Sequence, residues 1–166
     1  ESDHVFEIGL TPNRTDAMSH YGVARDLKAA LIRRGETGVD CDLPSITPFS
    51  VTARDLPVQV TVEDEQACPR YTGVSLKNVQ VTDSPDWLQN RLRAIGLSPI
   101  NNVVDITNFV LHETGQPLHA FDLDQIKGAA IRVKKLPTGT SFTTLDEKER
   151  KLAADDLMIC DEERGL

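Results

Sequence analysis

The densest run of side chains able to do chemistry lies between Pro99 and Asp122, PINNVVDITNFVLHETGQPLHAFD. Asn101, Asn102, Asp105, Thr107, Asn108, Gln116 and His119 are set there among apolar residues. On a helix, Asp105 and Asn108 are three apart and share a face, whereas Thr107 is displaced from them. Gly115 breaks that helix, Pro117 keeps the backbone extended, and His119 follows. Such a break can swing the imidazole back towards the helix side chains. An amide, a hydroxyl and an imidazole gathered in this way would orient a water and a carbonyl, and histidine suits that work because its unperturbed pKa lies near neutrality. The same residues have a plainer reading. Asn, Thr and Asp near helix ends often satisfy backbone groups, and a histidine before Ala120-Phe121 can be a hydrogen-bonded core residue.

The remaining candidates carry less. Arg14 in Thr11-Pro12-Asn13-Arg14 can reach a phosphate, but a turn leading into a helix explains the motif as well. His4 and His20 lie near the N-terminus, His112 falls on an exposed helix face, and no pair of histidines has convincing metal-ligand spacing. Cys41, Cys68 and Cys160 are odd in number, far apart and without a CxxC pair, so free thiols in a reducing compartment are expected. There is no phosphate-cradling loop and no nucleophile elbow.

These residues need elements to hold them. Val5–Leu10 reads as a short extended run broken by Pro12. A helix is predicted from about Asp16 to Arg34, with Val23, Leu27 and Leu31 facing inward and Gly35 as its stop. Residues 36–57, punctuated by Pro44, Pro48 and Pro57, read as irregular. Alternation over Val58–Val62 predicts a strand, and Tyr71–Leu76 a second one. Ser84-Pro85 predicts a capped helix start, with Trp87, Leu88, Leu92 and Ile95 apolar and Gly96 the end. A third helix is predicted from Val103 to Glu113, with Val103, Ile106, Val110 and Leu111 inward. Strands follow at 131–135, 141–145, 150–152 and 157–160, with a tight turn near Asp146-Glu147. About three helices with mixed or antiparallel sheets and no regular βαβ alternation give an α+β chain.

The 166 residues are 39% hydrophobic but only 5% aromatic, so the core must be built from Val, Leu, Ile and Ala. A net charge of −8 excludes a generic nucleic-acid coat, because such a surface repels phosphate; any RNA contact must be local. No apolar run approaches the roughly 20 residues of a membrane span. The N-terminus, Glu1-Ser2-Asp3, has no signal-peptide character, and both ends read as cut from a larger multidomain chain.

Two sets of motifs resemble a known family. Thr11-Pro12-Asn13-Arg14-Thr15-Asp16 followed by Gly22-Val23-Ala24-Arg25-Asp26 resembles a segment of phenylalanyl-tRNA synthetase β subunits. Cys68–Tyr71, Arg91–Gly96, Ile100–Asn108, Gln116–Asp122 and Thr144-Leu145-Asp146 appear in the order found in that family's tRNA-editing domain. The resemblance covers essentially the whole chain. It implies residues 1–45 as the end of the N-terminal module, 46–57 as linker and 58–166 as the first part of the editing domain. It implies a bacterial-type cytoplasmic parent that charges tRNA(Phe) with phenylalanine using ATP and magnesium. That parent pairs with an α subunit in an (αβ)₂ heterotetramer and hydrolyses mischarged tyrosyl-tRNA(Phe). By the same resemblance His119 is the catalytic residue of editing, and Thr107 and Asn108 bind substrate near the tRNA 3′ end. No cofactor or metal is expected in this segment.

Three departures from the family accompany the match. A Gly-rich stretch and a glutamate of the family's pocket lie beyond the equivalent of Leu166. Ser98 stands where the family often has arginine, and the family's oligonucleotide-binding insertion precedes Glu1. The alternative readings are an inert scaffold or subunit-interface module and a free-standing editor in trans. The TPNR segment, resembling a different module, counts against the latter.

Overall fold

Helix α1 runs from His20 to Arg33, not from Asp16, in the computed structural model, which describes residues 3–144 and 147–166. The reason is Ser19. Its Oγ accepts the Gly22 N–H at 2.9 Å, fixing the helix start three residues after a separate 3-10 turn, Thr15–Ala17. Gly22 is buried against that turn, where a β-carbon would stand 2.5 Å from the Asp16 carbonyl oxygen. No side chain larger than hydrogen fits there without moving backbone. Val23 and Leu31 are half-buried, but Leu27 is 56% exposed, contrary to its expected inward position.

By packing, the chain divides into two compact units. The first comprises residues 1–50 and 79–120, the second residues 51–78 and 121–166. In the first unit α1 packs against α3 (Asn102–Thr114), and α3 against α2 (Asp86–Ala94). Leu88 and Leu92 of α2, one turn apart, are each 1% exposed and form its buried face. Each such leucine contributes about 1.5–3 kcal/mol of burial. Trp87 sits at the margin, edge-on to Phe109 with ring centroids 5.6 Å apart. Asn101 caps α3 by accepting the Val103 and Val104 N–H groups, and Gly115 ends it in the left-handed conformation at φ 81°. Within α3 the buried residue is Asp105, while Ile106, expected inward, is 51% exposed.

In the second unit, β1 (Gln59–Val62) pairs parallel with β2 (Ala130–Lys135), and β2 pairs antiparallel with β5 (Leu157–Cys160). Register aligns Val60 and Val62 with Ile131 and Val133, and Val133 with Ile159. One face of the sheet is therefore apolar. A separate antiparallel hairpin joins β3 (Ser141–Thr143) to β4 (Glu149–Lys151). Leu145 and Asp146, part of the predicted third strand, its turn and the Thr144-Leu145-Asp146 motif, lie outside the described residues. Tyr71–Leu76 forms no strand, because no neighbouring strand takes its backbone groups; Val5–Leu10 is likewise unpaired, and 36–57 has neither helix nor strand. The architecture is α+β.

Asp161, 1% exposed, closes the turn after β5. Its carboxylate accepts backbone N–H groups from Glu163, Arg164 and Lys127 at 2.8, 2.7 and 3.2 Å. Burial works to raise its pKa, but the three N–H bonds outweigh burial and hold it below the ordinary carboxylate value. A depressed folded-state pKa gives stability that is present above about pH 4 and lost as pH falls through the folded value. Asp161→Asn is expected to cost about 1.5–3 kcal/mol at neutral pH and to flatten the loss of stability as the pH falls below about 4. Urea unfolding across that range measures both; a variant profile parallel to the parent would exclude Asp161 as a source of the acid dependence.

Candidate functional site

The polar residues of 99–122 divide by what already engages them. Asn101 is used as the α3 cap. The Asn102 amide donates to the Gln80 carbonyl at 2.9 Å and its oxygen accepts the Thr82 N–H at 3.3 Å, tying segment 80–82 to the helix start. Asp105 is fully buried, accepting the Ser84 hydroxyl at 2.5 Å on Oδ2 and the Ile100 N–H at 2.9 Å on Oδ1. Ser84 was expected to cap α2 and does not. Pro85 takes the cap position without a side-chain bond, because the Ser84 hydroxyl is committed to Asp105. The Gln116 amide donates to the neighbouring Pro117 carbonyl at 3.3 Å.

Thr107 and Asn108 lie in the middle of α3, both half-buried. The Thr107 hydroxyl donates to the Val104 carbonyl at 2.7 Å, leaving its lone pairs to accept. The Asn108 amide, by contrast, makes no hydrogen bond among the described residues. His119 lies in the exposed segment 116–120 that leaves the Gly115 bend, within the same compact unit. The bend lies close to the start of α1, where a β-carbon on Gly115 would stand 3.5 Å from Ser19 Cβ.

Two shallow clefts among the described residues lie elsewhere. One of about 180 Å³ surrounds Ser84, Gln89, Arg93, Ile100 and Asp105. The other, of about 460 Å³ in the second unit, is lined by Lys134, Phe142, Cys160, Arg164 and Gly165. Neither includes Thr107, Asn108 or His119. Only the fold brings the Ser84 hydroxyl to Asp105 and sets Arg93 in the lining of the same cleft.

Arg14 is not free for a phosphate. Its guanidinium donates to Asp16 at 2.9 Å and to Asp26 at 2.6 Å, and Arg25 reaches Asp16 at 2.5 Å. The Asp16 hydrogen bond is the largest cause raising the Arg14 pKa, and Arg14 in turn lowers that of Asp16. The TPNR motif thus builds the turn into α1.

A family model described as "B3/4 domain" matches residues 67–166, more than half of the chain. The chain belongs to the B3/4 domain family. It is also 57% identical over all 166 residues to the "Phenylalanine--tRNA ligase beta subunit" of Bacteroides fragilis. Proteins of the same name from Porphyromonas gingivalis and Salinibacter ruber are 56% and 52% identical, over 97% and 98% of the chain. The chain spans only about a fifth of these relatives, 20% of the Bacteroides protein and 19% of the other two. The family resemblance carried by the ordered motifs is borne out, and the B3/4 match contains Thr107, Asn108 and His119.

Proposed function

We propose that this B3/4 segment is the first part of an editing site that hydrolyses tyrosine wrongly esterified to tRNA(Phe), within the β subunit of a phenylalanine–tRNA ligase. The need for editing is physical: a pocket built for phenylalanine rejects an analogue that merely adds a hydroxyl only weakly. The observation that carries the reading is 57% identity over the whole of this chain to a ligase β subunit; the Asn108 amide, which makes no hydrogen bond among the described residues, supports it. Water attacks the aminoacyl ester carbonyl, His119 positions that water or the terminal ribose, and Thr107 and Asn108 hydrogen-bond the aminoacyl end. The parent's phenylalanine, ATP and magnesium chemistry belongs to other parts of an (αβ)₂ assembly with the α subunit, in the cytoplasm. The −8 charge agrees with a segment that meets only the tRNA 3′ end.

In the full-length protein, tyrosyl-tRNA(Phe) is expected to be hydrolysed faster than phenylalanyl-tRNA(Phe). Asn108→Ala is expected to slow the tyrosyl reaction about 10–100-fold, the worth of one hydrogen bond at a polar site. Equal rates on the two substrates would remove the editing assignment, and an Asn108→Ala enzyme indistinguishable from the parent would remove Asn108 from the site. The scaffold reading has its own support, since Asn101, Asn102 and Asp105 all serve the fold. It predicts that the variant leaves both rates untouched.

A further inference from the structure

The sheet of the second unit turns Val133 and Ile159 to one face and Arg132, Lys134 and Cys160 to the other. The three cations of β2 are not treated alike. Arg132 pairs with Glu63 at 3.8 Å, and Lys135 pairs with Asp64 at 2.9 Å. Lys134 lies between them, half-buried, and makes no ion pair among the described residues. It lines the cleft of about 460 Å³ together with Arg164, which makes no ion pair among them either. The chain has 26 acidic side chains against 18 basic ones, so carboxylates for pairing were in surplus.

The other polar groups of the cleft are mostly spent. The Thr140 hydroxyl donates to the Pro137 carbonyl at 2.7 Å, and the Ser141 hydroxyl and Glu149 are 2.9 Å apart in a hydrogen bond. Glu163 adds one exposed carboxylate, which can only accept. Two cations against one carboxylate leave the cleft positive in a chain of net charge −8. Phe142 contributes a half-buried ring, with Gly165 close to one edge of it. Positive donors suit a phosphate, an acceptor suits a ribose hydroxyl, and an aromatic ring suits a base. The volume falls within the roughly 300–1,000 Å³ of small-ligand sites.

We propose that this cleft holds one ribonucleotide of an RNA strand: Lys134 and Arg164 take its phosphate, Phe142 meets its base, and Glu163 accepts from its ribose 2′-hydroxyl. The proposal rests on the editing reading, which makes the strand the 3′ end of tRNA(Phe). A shallow cleft favours a strand over a free nucleotide, because a strand must enter and leave. It also meets the demand that any RNA contact on this acidic chain be local.

The test uses the full-length protein and the Lys134→Ala/Arg164→Ala variant. Both truncations spare the backbone bonds of the Asp161–Arg164 turn, so the melting temperature should hold. The KM for hydrolysis of tyrosyl-tRNA(Phe) is expected to rise about tenfold with kcat within about twofold. Its salt dependence should become shallower by about one power of salt concentration for each lost contact. Lys134→Arg, which keeps the charge, should stay near the parental KM. Uncharged tRNA(Phe) is expected to slow amide exchange of the 140–143 peptide in the parent and not in the double variant, whereas AMP at the same concentration leaves it unchanged. An unchanged KM and salt dependence in the double variant would overturn the proposal. So would protection by tRNA that survives the double substitution, or equal protection by AMP, which would make the cleft a free-nucleotide site. Equal hydrolysis of the tyrosyl and phenylalanyl esters would remove the editing reading alone, since the exchange measurement reads binding without any reaction.

Discussion

Asp105→Ala is expected to destabilise the chain by about 3–5 kcal/mol. The carboxylate is fully buried and holds two separate donors, the Ser84 hydroxyl and the Ile100 N–H. Truncation strips both of their acceptor at once. A buried donor left without a partner costs about 1–3 kcal/mol, and the vacated volume adds a cavity term. Three elements are cut loose together: segment 82–85 entering α2, the Pro99-Ile100 link, and the first turn of α3. Asp105→Asn keeps one carbonyl oxygen for the Ile100 N–H, and the Ser84 hydroxyl can turn to accept from the new amide. Its cost is expected to be about 1–2 kcal/mol. Urea unfolding followed at Trp87, the single tryptophan, measures both. An alanine variant within about 0.5 kcal/mol of the parent would show that the bonds to Asp105 do not hold these elements together.

His119→Ala in the full-length protein is expected to slow hydrolysis of tyrosyl-tRNA(Phe) by about 10²–10⁴-fold, the usual range for a group handling a proton or placing a nucleophile. Charging of tRNA(Phe) with phenylalanine should be unchanged. His119 is exposed, on a segment outside the buried core, so the melting temperature should scarcely move. This separates a chemical role from a structural one, which Asp105→Ala by design does not. His119→Gln sharpens the test. It keeps a hydrogen-bonding side chain but cannot take a proton near neutrality, so a glutamine variant with near-parental kcat makes His119 a positioning group. If alanine leaves the hydrolysis rate within twofold, His119 has no part in the reaction and the chemistry lies with other residues.

Some local signals carried through to the fold. Asn101 caps α3 and Gly115 ends it, as the side chain and the missing β-carbon dictate. The alternation at 58–62 and the predicted strands at 131–135 and 157–160 became paired strands, and the α+β class followed from the mixture. The ordered motifs from Cys68 to Asp122 were enough to place the chain in its family.

What the sequence left open depended on partners far along the chain. Ser84 followed by Pro85 has every feature of a helix cap, yet its hydroxyl goes to a carboxylate 21 residues away, which no local pattern registers. Leu27 and Ile106 sit at helical spacing for burial but stay exposed, because periodicity marks an apolar stripe without saying whether anything packs on it. Tyr71–Leu76 has the composition of a strand and lacks a neighbour to pair with. The candidate site divides in the same way. Residue types alone nominated seven polar groups, and only the tertiary structure sorted them. Asp105 was assigned to the core and Asn102 to a backbone tie, while the Asn108 amide makes no hydrogen bond among the described residues. Which donor meets which acceptor is a matter of distance in space, not of separation along the chain.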